Sequence, residues 1–221
     1  MSSWSSAAVA GPAPVDLRGQ VEALLEGPRP LAIVQVGHPV LRRAATRYAG
    51  ELDGELLDEL IAAMRLTMHE APGVGLAAPQ VGLGVALAVI EDPGGPIGEV
   101  AEARGRVPVP FRVIVNPEYA PVTEERVAFY EGCLSVRGWH AVTPRWRTVR
   151  LTCQDEDGQN VDEMLTGWPA RIVQHETDHL AGRLYIDGAR LRSLTDDANA
   201  LRWTGEPVPE RAARELGFDL S

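Results

Sequence analysis

Residues 174–180, which read QHETDHL, carry the residue types and spacing most typical of chemistry in this chain, because they contain the pattern H-E-x-x-H. A step of four residues on a helix returns to nearly the same face, so the imidazoles of His175 and His179 can face one metal ion. Glu176 lies about 100° further around the axis and can move protons beside that metal without binding it. The spacing predicts a metal-activated water that hydrolyses a carbonyl compound.

A pattern this short also arises by chance on exposed helices, but its surroundings favour a buried metal-binding helix. Pro169 stands near the first turn of the predicted helix, where proline is tolerated. Leu180 follows the second histidine directly, and Gly182 stands where a glycine commonly ends a helix. Acids and imidazoles on a buried helix need partners, because an unpaired buried charge is costly. The context therefore favours a functional site over an ordinary surface helix.

A third ligand is expected, since a hydrolytic metal site usually has three protein ligands and one open position. The chain has two cysteines. Cys153 alternates with Val149 and Leu151 on one face of a predicted strand, which is typical of a buried core thiol. Cys133 lies in residues 131–135, which read EGCLS, beside a glycine that lets backbone approach closely. Spacing alone leaves Cys133 as either a metal ligand or a buried core thiol.

Three separated blocks, in this order, resemble the motifs of the peptide deformylase family: GVGLAAPQ at residues 73–80, EGCLS at 131–135 and QHETDHL at 174–180. The resemblance extends over roughly residues 30–190. It implies an α+β fold in which small antiparallel or mixed sheets pack around a central metal-binding helix. It also implies one divalent metal ion, usually Fe²⁺, with Zn²⁺, Ni²⁺ or Co²⁺ as substitutes. The metal ligands implied by the resemblance are Cys133, His175 and His179.

The activity implied by the resemblance is that of a hydrolase which removes the formyl group from the N-terminal formylmethionine of newly synthesised polypeptides and releases formate. A metal-bound hydroxide would attack the formyl carbon, with Glu176 as the general base and then the general acid. The negative charge that develops on the formyl oxygen would be stabilised by the side-chain amide of Gln80 and the backbone N–H of Leu134.

The substrate-binding residues are expected in the first two blocks and just after the second. Gly75 would let the backbone approach an extended substrate that binds like an added strand. Val74, Leu76 and Leu134 are candidates for an apolar methionine pocket, and a role in the core is an equally good interpretation of each. Arg137 lies where the family commonly has proline, so it is expected to alter substrate preference.

Other polar residues near these blocks are expected to support the site. Glu131 is expected to orient a ligand or a cation, and Asp178 either does the same or is solvated on the helix surface. His38 and His69 are interpreted as structural or surface residues, and His140 as a partner of Arg137 or of solvent. The candidate partners of Glu131 are Arg145, Arg147 and Arg171.

The elements that must position these residues follow from hydrophobic periodicity and turn residues. Because the predicted strands do not alternate with helices, the sequence indicates an α+β fold rather than a doubly wound one. Residues 92–106, rich in glycine, proline and acids, are expected to form a surface excursion. Helices are predicted over residues 16–25, 54–70 and 210–216, strands over 85–90 and 111–115 with Asn116-Pro117 closing the latter, and a hairpin over 147–154 and 160–165.

Composition sets the remaining expectations. The 221 residues indicate a catalytic domain at 15–190, preceded by a disordered or loosely attached segment, 1–14, and followed by an extension, 191–221. Cysteine use suits a cytoplasmic protein, and the sequence has no apolar run of about 18 residues that could span a membrane. The net charge of −10 opposes binding to nucleic acid. The extension is not a basic arm, so we do not expect the protein to dock on the ribosome through it. A transient contact with the ribosome is still compatible with the sequence.

Two other functions compete with this hypothesis. The same metal site could serve a peptidase or deacylase that acts on another amide, although the two remaining blocks argue against it. The chain could also be a non-catalytic metal-binding or peptide-binding relative. Loss of Glu176 or Gln80 would be expected in such a relative, and both residues are present.

Overall fold

A computed structural model describes residues 16–220 of the chain, so the prediction for residues 1–14 lies outside the described part. Within these residues the helices are α1 (Leu17–Leu25), α2 (Gly54–Glu70), α3 (Glu99–Arg104), α4 (Trp168–Leu180), α5 (Asp197–Ala200) and α6 (Glu210–Leu216). The strands are β1 (Gly75–Ala77), β2 (Leu87–Asp92), β3 (Val109–Pro121), β4 (Arg126–Gly132), β5 (Trp139–Trp146), β6 (Thr148–Gln154), β7 (Asn160–Thr166) and β8 (Thr195–Asp196). None of the helices described is long and apolar enough to cross a bilayer.

The larger sheet has the strand order β1-β2-β3-β6-β7, and each neighbouring pair is antiparallel. Its strand β2 is buried on both faces. Leu87 and Val89 pack into the core that contains α2, whereas Ala88 and Ile90 pack into the core that contains α4. Burial on both sides explains why the predicted strand at 85–90 reads as a continuous apolar run rather than an alternation.

The smaller sheet has the order β4-β5-β8 and is also antiparallel. Helix α4 lies between the two sheets and contacts strands of both. The α+β class, with small antiparallel sheets around the helix predicted to bind metal, is therefore confirmed. The segment after residue 190 adds β8 to the smaller sheet, and its residues Trp203 and Ala212 pack against Tyr130 and Val142.

Elements with a strong local pattern were predicted correctly. Helices α2 and α6 have the predicted bounds. Helix α1 begins one residue after Asp16, whose carboxylate caps it by accepting a hydrogen bond from Gly19 N–H at 2.9 Å. The predicted hairpin is the β6–β7 pair.

Two predictions about the chain between β2 and β6 were wrong in part. Residues 92–106 are not only a surface excursion, because they contain α3 and because Asp92 is fully buried. The strand predicted at 111–115 does not close at Asn116 but continues to Pro121. The ladder shifts register between Val115 and Glu118, and Asn116, with φ of 52°, lies in this irregularity. Asparagine tolerates that conformation, so the strand bends and pairing resumes.

Candidate metal centre and active-site cleft

The structure brings the three predicted metal ligands together. Cys133 follows the end of β4, and His175 and His179 lie one turn apart on α4. Their ligand atoms all lie within 4.8 Å of one another, and Cys133 Sγ is 3.2 Å from His179 Nε2. The helix supplies two donors on one face, and the end of a strand in the smaller sheet supplies the third.

A buried carboxylate orients one of these ligands. Glu131 Oε2 lies 3.1 Å from His175 Nδ1, which leaves Nε2 as the ring nitrogen free for a metal. Arg145 donates two hydrogen bonds to Glu131, at 2.7 and 2.9 Å, and Arg171 donates a third. Burial alone would raise the pKa of Glu131, but the two guanidinium groups hold it well below its usual range. Two candidate partners therefore pair with Glu131, whereas Arg147 forms an exposed ion pair elsewhere.

Asp178 extends this network instead of being solvated. Its carboxylate accepts a hydrogen bond from Arg145 at 2.7 Å, so one guanidinium bridges Asp178 and Glu131. Tyr119 O–H and Arg183 also donate to Asp178, at 3.0 and 2.6 Å. The network joins α4 to both sheets around the ligands.

The donor set fits a divalent transition metal, because one thiol and two imidazoles suit several such ions. Burial by itself would lower the pKa of His175, yet hydrogen bonds to Cys133 and Glu131 raise it well above its usual range. A bound cation would take the place of the proton on His175, because only the neutral imidazole can bind a metal ion. Burial, together with the charge of His175, lowers the pKa of His179 well below its usual range. This favours the neutral imidazole that metal binding requires.

Glu176 lies beside the ligands as a buried carboxyl group. Only 3% of it is exposed, and its Oε2 atom has no hydrogen-bond partner within residues 16–220. Burial raises the pKa of Glu176 to about 7, although the charges of His175 and Arg145 oppose this shift. A Cβ atom added to Gly75 of β1 would stand 2.2 Å from Glu176 Oε1. Gly75 was predicted to make room for substrate, and the structure shows that it also makes room for Glu176.

Two residues beside the same centre, Gln80 and Leu134, carry the predicted hydrogen-bond donors. Ala77 N–H donates to Gln80 Oε1 at 2.8 Å, which turns the Gln80 NH₂ group towards Ser135 Oγ, at 3.3 Å, and Cys133 Sγ, at 3.7 Å. The backbone N–H of Leu134 donates to no acceptor in the described part of the chain. Ser135, which the sequence analysis did not single out, is fully buried beside them.

A cleft of about 850 Å³ opens above these groups. Val74, Gly75, Leu134 and Arg137 line it, as the sequence analysis expected of substrate-binding residues. Leu76 does not line the cleft, because it is fully buried in the core with α2. Of the two interpretations given for Leu76, a methionine pocket or the core, its position therefore agrees with the core.

The other three histidines lie away from the ligand cluster. His140, which was predicted to be a partner of Arg137 or of solvent, lines the cleft and pairs with Asp197 at 2.7 Å. His38 caps a short turn, and His69 pairs with Glu91 on the surface.

Sequence reasoning missed one wall of the cleft. Arg104 and Trp168 line the cleft, and Arg104 belongs to the segment interpreted as a surface excursion. Asp92 holds this wall in place by accepting hydrogen bonds from Arg106, at two distances of 2.9 Å, and from Trp168 Nε1 at 2.6 Å. No local signal marks this wall, because its contacts join residues far apart in sequence.

Comparisons with known proteins agree with the geometry. A model of the family "Polypeptide deformylase" matches residues 30–194. The chain is 61% identical over 205 residues to "Peptide deformylase 3" of Streptomyces avermitilis, covering 92% of this chain and 91% of the relative. It is 58% identical over 206 residues to "Peptide deformylase 1" of Streptomyces coelicolor, covering 93% of this chain and 94% of the relative.

Solved structures of similar proteins give the same result. The Met-Ala-Ser-bound class I type b peptide deformylase of Acinetobacter baumannii is 34% identical, with a TM-score of 0.64 over 72% of this chain and 97% of that one. The actinonin complex of a peptide deformylase from Synechococcus elongatus is 30% identical, with a TM-score of 0.62 over 88% of this chain and 90% of that one.

Proposed function

The chain belongs to the polypeptide deformylase family, and on this premise we propose that it removes the formyl group from the N-terminal formylmethionine of newly synthesised polypeptides and releases formate. One observation carries the proposal. A buried carboxyl group with an unpartnered oxygen, Glu176, lies beside a cluster of one thiol and two imidazoles, at the floor of a cleft. That combination suits hydrolysis of an amide.

Cys133, His175 and His179 would hold the divalent cation, for which Fe²⁺ is the expected ion and Zn²⁺, Ni²⁺ or Co²⁺ are substitutes. When bound, such an ion supplies Lewis-acid chemistry, because it polarises a carbonyl oxygen and makes water acidic enough to be a nucleophile near neutral pH. Glu131 supports this arrangement by fixing the ring orientation of His175.

Glu176 is the proposed proton carrier. Its carboxylate takes a proton from the attacking water and returns it to the amine of the departing methionine. A group that must both accept and donate a proton works best when its pKa is close to the working pH, and burial raises the pKa of Glu176 to about 7.

Gln80 and Leu134 are the proposed donors to the oxygen on which negative charge develops. The hydrogen bond from Ala77 N–H to Gln80 Oε1 supports this role, because it holds the Gln80 NH₂ group towards the ligands. The unpartnered N–H of Leu134 would supply the second hydrogen bond. Donors held in place before the reaction cost no reorganisation when the charge appears.

The substrate would lie in the cleft as an extended peptide beside Gly75, with Val74 and Leu134 near its methionine and Arg137 near the residues that follow. An enzyme that acts on nascent chains in this way is expected in the cytoplasm. Transient contact with the ribosome remains a prediction, and the C-terminal segment offers no basic arm that would support it.

The test is formate release from formyl-Met-Ala-Ser by the Ni²⁺-loaded protein. Glu176→Gln keeps the size of the side chain but removes its basicity, so formate release should fall by about 10² or more. Glu124→Gln, which makes the same change in charge at an exposed position, is the matched control. Acetyl-Met-Ala-Ser tests whether the reaction requires the formyl group.

Formate release by the wild type and by Glu124→Gln, with loss in a Glu176→Gln variant that still binds one metal ion, would support the proposal. If the folded, metal-loaded wild type released no formate, the site would serve another substrate or binding alone. Equal cleavage of the formyl and acetyl peptides would favour a general deacylase instead.

A further inference from the structure

Among the arginines near the start of α4, Arg104 differs in its polar partners within the described residues. Arg106 pairs with the buried Asp92, and Arg171 pairs with Glu131. The side chain of Arg104 makes no ion pair or hydrogen bond to any residue that the structure describes, and its Nε atom is shielded from solvent. Leaving a shielded donor of a charged group unsatisfied is costly.

Arg104 lines the same cleft as the proposed catalytic residues. It is the last residue of α3, and the carbonyl of the next residue, Gly105, accepts a hydrogen bond from Trp168 N–H at 3.3 Å. Its guanidinium carbon lies 5.5 Å from the ring centroid of Phe129. Burial, together with repulsion from Arg171, lowers the pKa of Arg104, so this environment does not by itself favour its charge.

The acids that line the cleft are already occupied. Glu131 is held by two arginines, Asp197 is paired with His140, and Glu176 is the proposed proton carrier. Arg137 also lines the cleft without an ion pair, but it is exposed and water can solvate it. A carboxylate bound in the cleft would therefore give Arg104 the direct ion pair that it lacks within residues 16–220.

We propose that Arg104 is a specificity-determining residue that binds a carboxylate of the substrate peptide, supplied by an acidic side chain after the formylmethionine; this inference rests on the proposed function. His175 lies seven residues after Trp168, the residue of α4 beside Arg104, and seven steps along a helix span about 10 Å. An extended peptide covers that distance in about three residues. The acidic residue is therefore expected at the second, third or fourth position of the substrate.

The test compares peptides that differ only in one carboxylate. Formyl-Met peptides carrying Asp at the second, third or fourth position are each compared with the Asn counterpart, and the readout is the ratio of their kcat/KM values. We expect the wild type to prefer Asp by about tenfold at one position at least, because a charge-assisted hydrogen bond is replaced by a weaker one. Arg104→Met should bring that ratio to about one, and Arg104→Lys should keep part of it.

Arg150→Met is the matched control, because it removes one positive charge from an exposed ion pair on β6. It should leave the Asp/Asn ratio as in the wild type. Added salt should lower the ratio only slightly in the wild type, because a partly buried charge pair is screened much less than an exposed one.

Ratios that are the same in the wild type and in Arg104→Met at every position would overturn the inference while leaving the proposed function intact. Absence of formate from all the peptides, Asp and Asn alike, would instead overturn the proposed function.

Discussion

Glu176 occupies the space that a side chain at position 75 would need. An added Cβ at Gly75 would meet three atoms of Glu176, at 2.2, 2.6 and 2.8 Å, and real Cβ atoms do not approach other atoms so closely. Because Glu176 is only 3% exposed, a Cβ at position 75 would have to push its carboxyl group out of the buried position beside the ligands. The glycine therefore leaves the space that the proposed proton carrier occupies.

Gly75→Ala should lower kcat by about 10², because a displacement of the proton carrier by about 1 Å has an effect of that size. The measurement is steady-state formate release, with metal content and circular dichroism recorded on the same samples. Gly84→Ala is the matched control, since a Cβ at position 84 would meet no atom within 4 Å. A Gly75→Ala variant with the wild-type kcat would show that Glu176 tolerates displacement.

At the residue scale, the types and spacing of the ligands were predictable and their surroundings were not. The two histidines lie one helical turn apart, so a local pattern suffices to place them on one face. The contact between Gly75 and Glu176, and the bridge from Arg145 to Asp178, form only when β1, β5 and α4 pack together. No spacing in the sequence encodes such contacts.

At the scale of elements, the buried Asp92 ties the α3 segment to α4. The side chain of Asp92 is 1% exposed and accepts hydrogen bonds from Arg106, Trp168 and the backbone N–H of Gly94. Burial alone would raise the pKa of Asp92, but these donors lower it below its usual value. The wall that carries Arg104 thus depends on a carboxylate that must be ionised.

Asp92→Asn should lower the free energy of unfolding by about 2 kcal/mol at pH 7, because hydrogen bonds to a charged acceptor become neutral ones. The folded pKa of Asp92 lies below its unfolded value of about 3.9, so the stabilisation is fully present above that value and is lost as the pH falls through the folded pKa. Urea unfolding of both proteins at pH 8, 7, 6 and 5 should therefore give a constant difference.

Asp162→Asn is the control for this prediction, because Asp162 and its partner Arg150 are both at least half exposed. It should change the unfolding free energy little. A difference between wild type and Asp92→Asn that already shrinks between pH 7 and pH 5 would place the folded pKa of Asp92 above its usual value. That result would contradict the proposal that an ionised Asp92 holds the α3 segment against α4.

The elements that were predicted correctly are those whose stabilising features, such as caps, turns and apolar stripes, lie within a short stretch of sequence. Helix α2 has a cap and an apolar stripe, and the β6–β7 hairpin has a turn between alternating strands. Strand β5, which the sequence analysis did not identify, is defined by its pairing with β4 and β8. Strands β5 and β8 lie far apart in the sequence, so neither carries a local pattern that indicates their pairing. Both strands could therefore be identified only in the folded structure.

At the scale of the whole molecule, the C-terminal segment is part of the body that carries the cleft. Ser193 Oγ accepts a hydrogen bond from Val142 N–H at 2.7 Å, and β8 pairs with β5 at the rim. Asp197 and Thr204 line the cleft itself. The segment predicted as an extension outside the motifs therefore supports the smaller sheet, from which Cys133 and Glu131 approach the ligand centre.

Trp203→Ala tests how strongly this segment stabilises the molecule. The ring of Trp203 is 8% exposed and packs against Tyr130 and Val142, with the guanidinium of Arg211 4.8 Å from its centroid. Removing a buried tryptophan costs about 3–5 kcal/mol, which corresponds to a fall in Tm of about 10 °C for a chain of this size. Thermal unfolding followed by circular dichroism measures the shift, and the temperature at which formate release is lost should fall with it.

Leu201→Ala is the matched control, because Leu201 lies two residues earlier and is 82% exposed. It should change the unfolding free energy by less than about 0.5 kcal/mol. If Trp203→Ala left the Tm unchanged, the segment would be attached too weakly to support the smaller sheet. If the Tm fell but the inactivation temperature did not, the cleft would be stable without the segment. A parallel fall in both would mean that the cleft and the C-terminal segment unfold as one unit, because strand β4, which ends just before Cys133, depends on the packing that Trp203 provides.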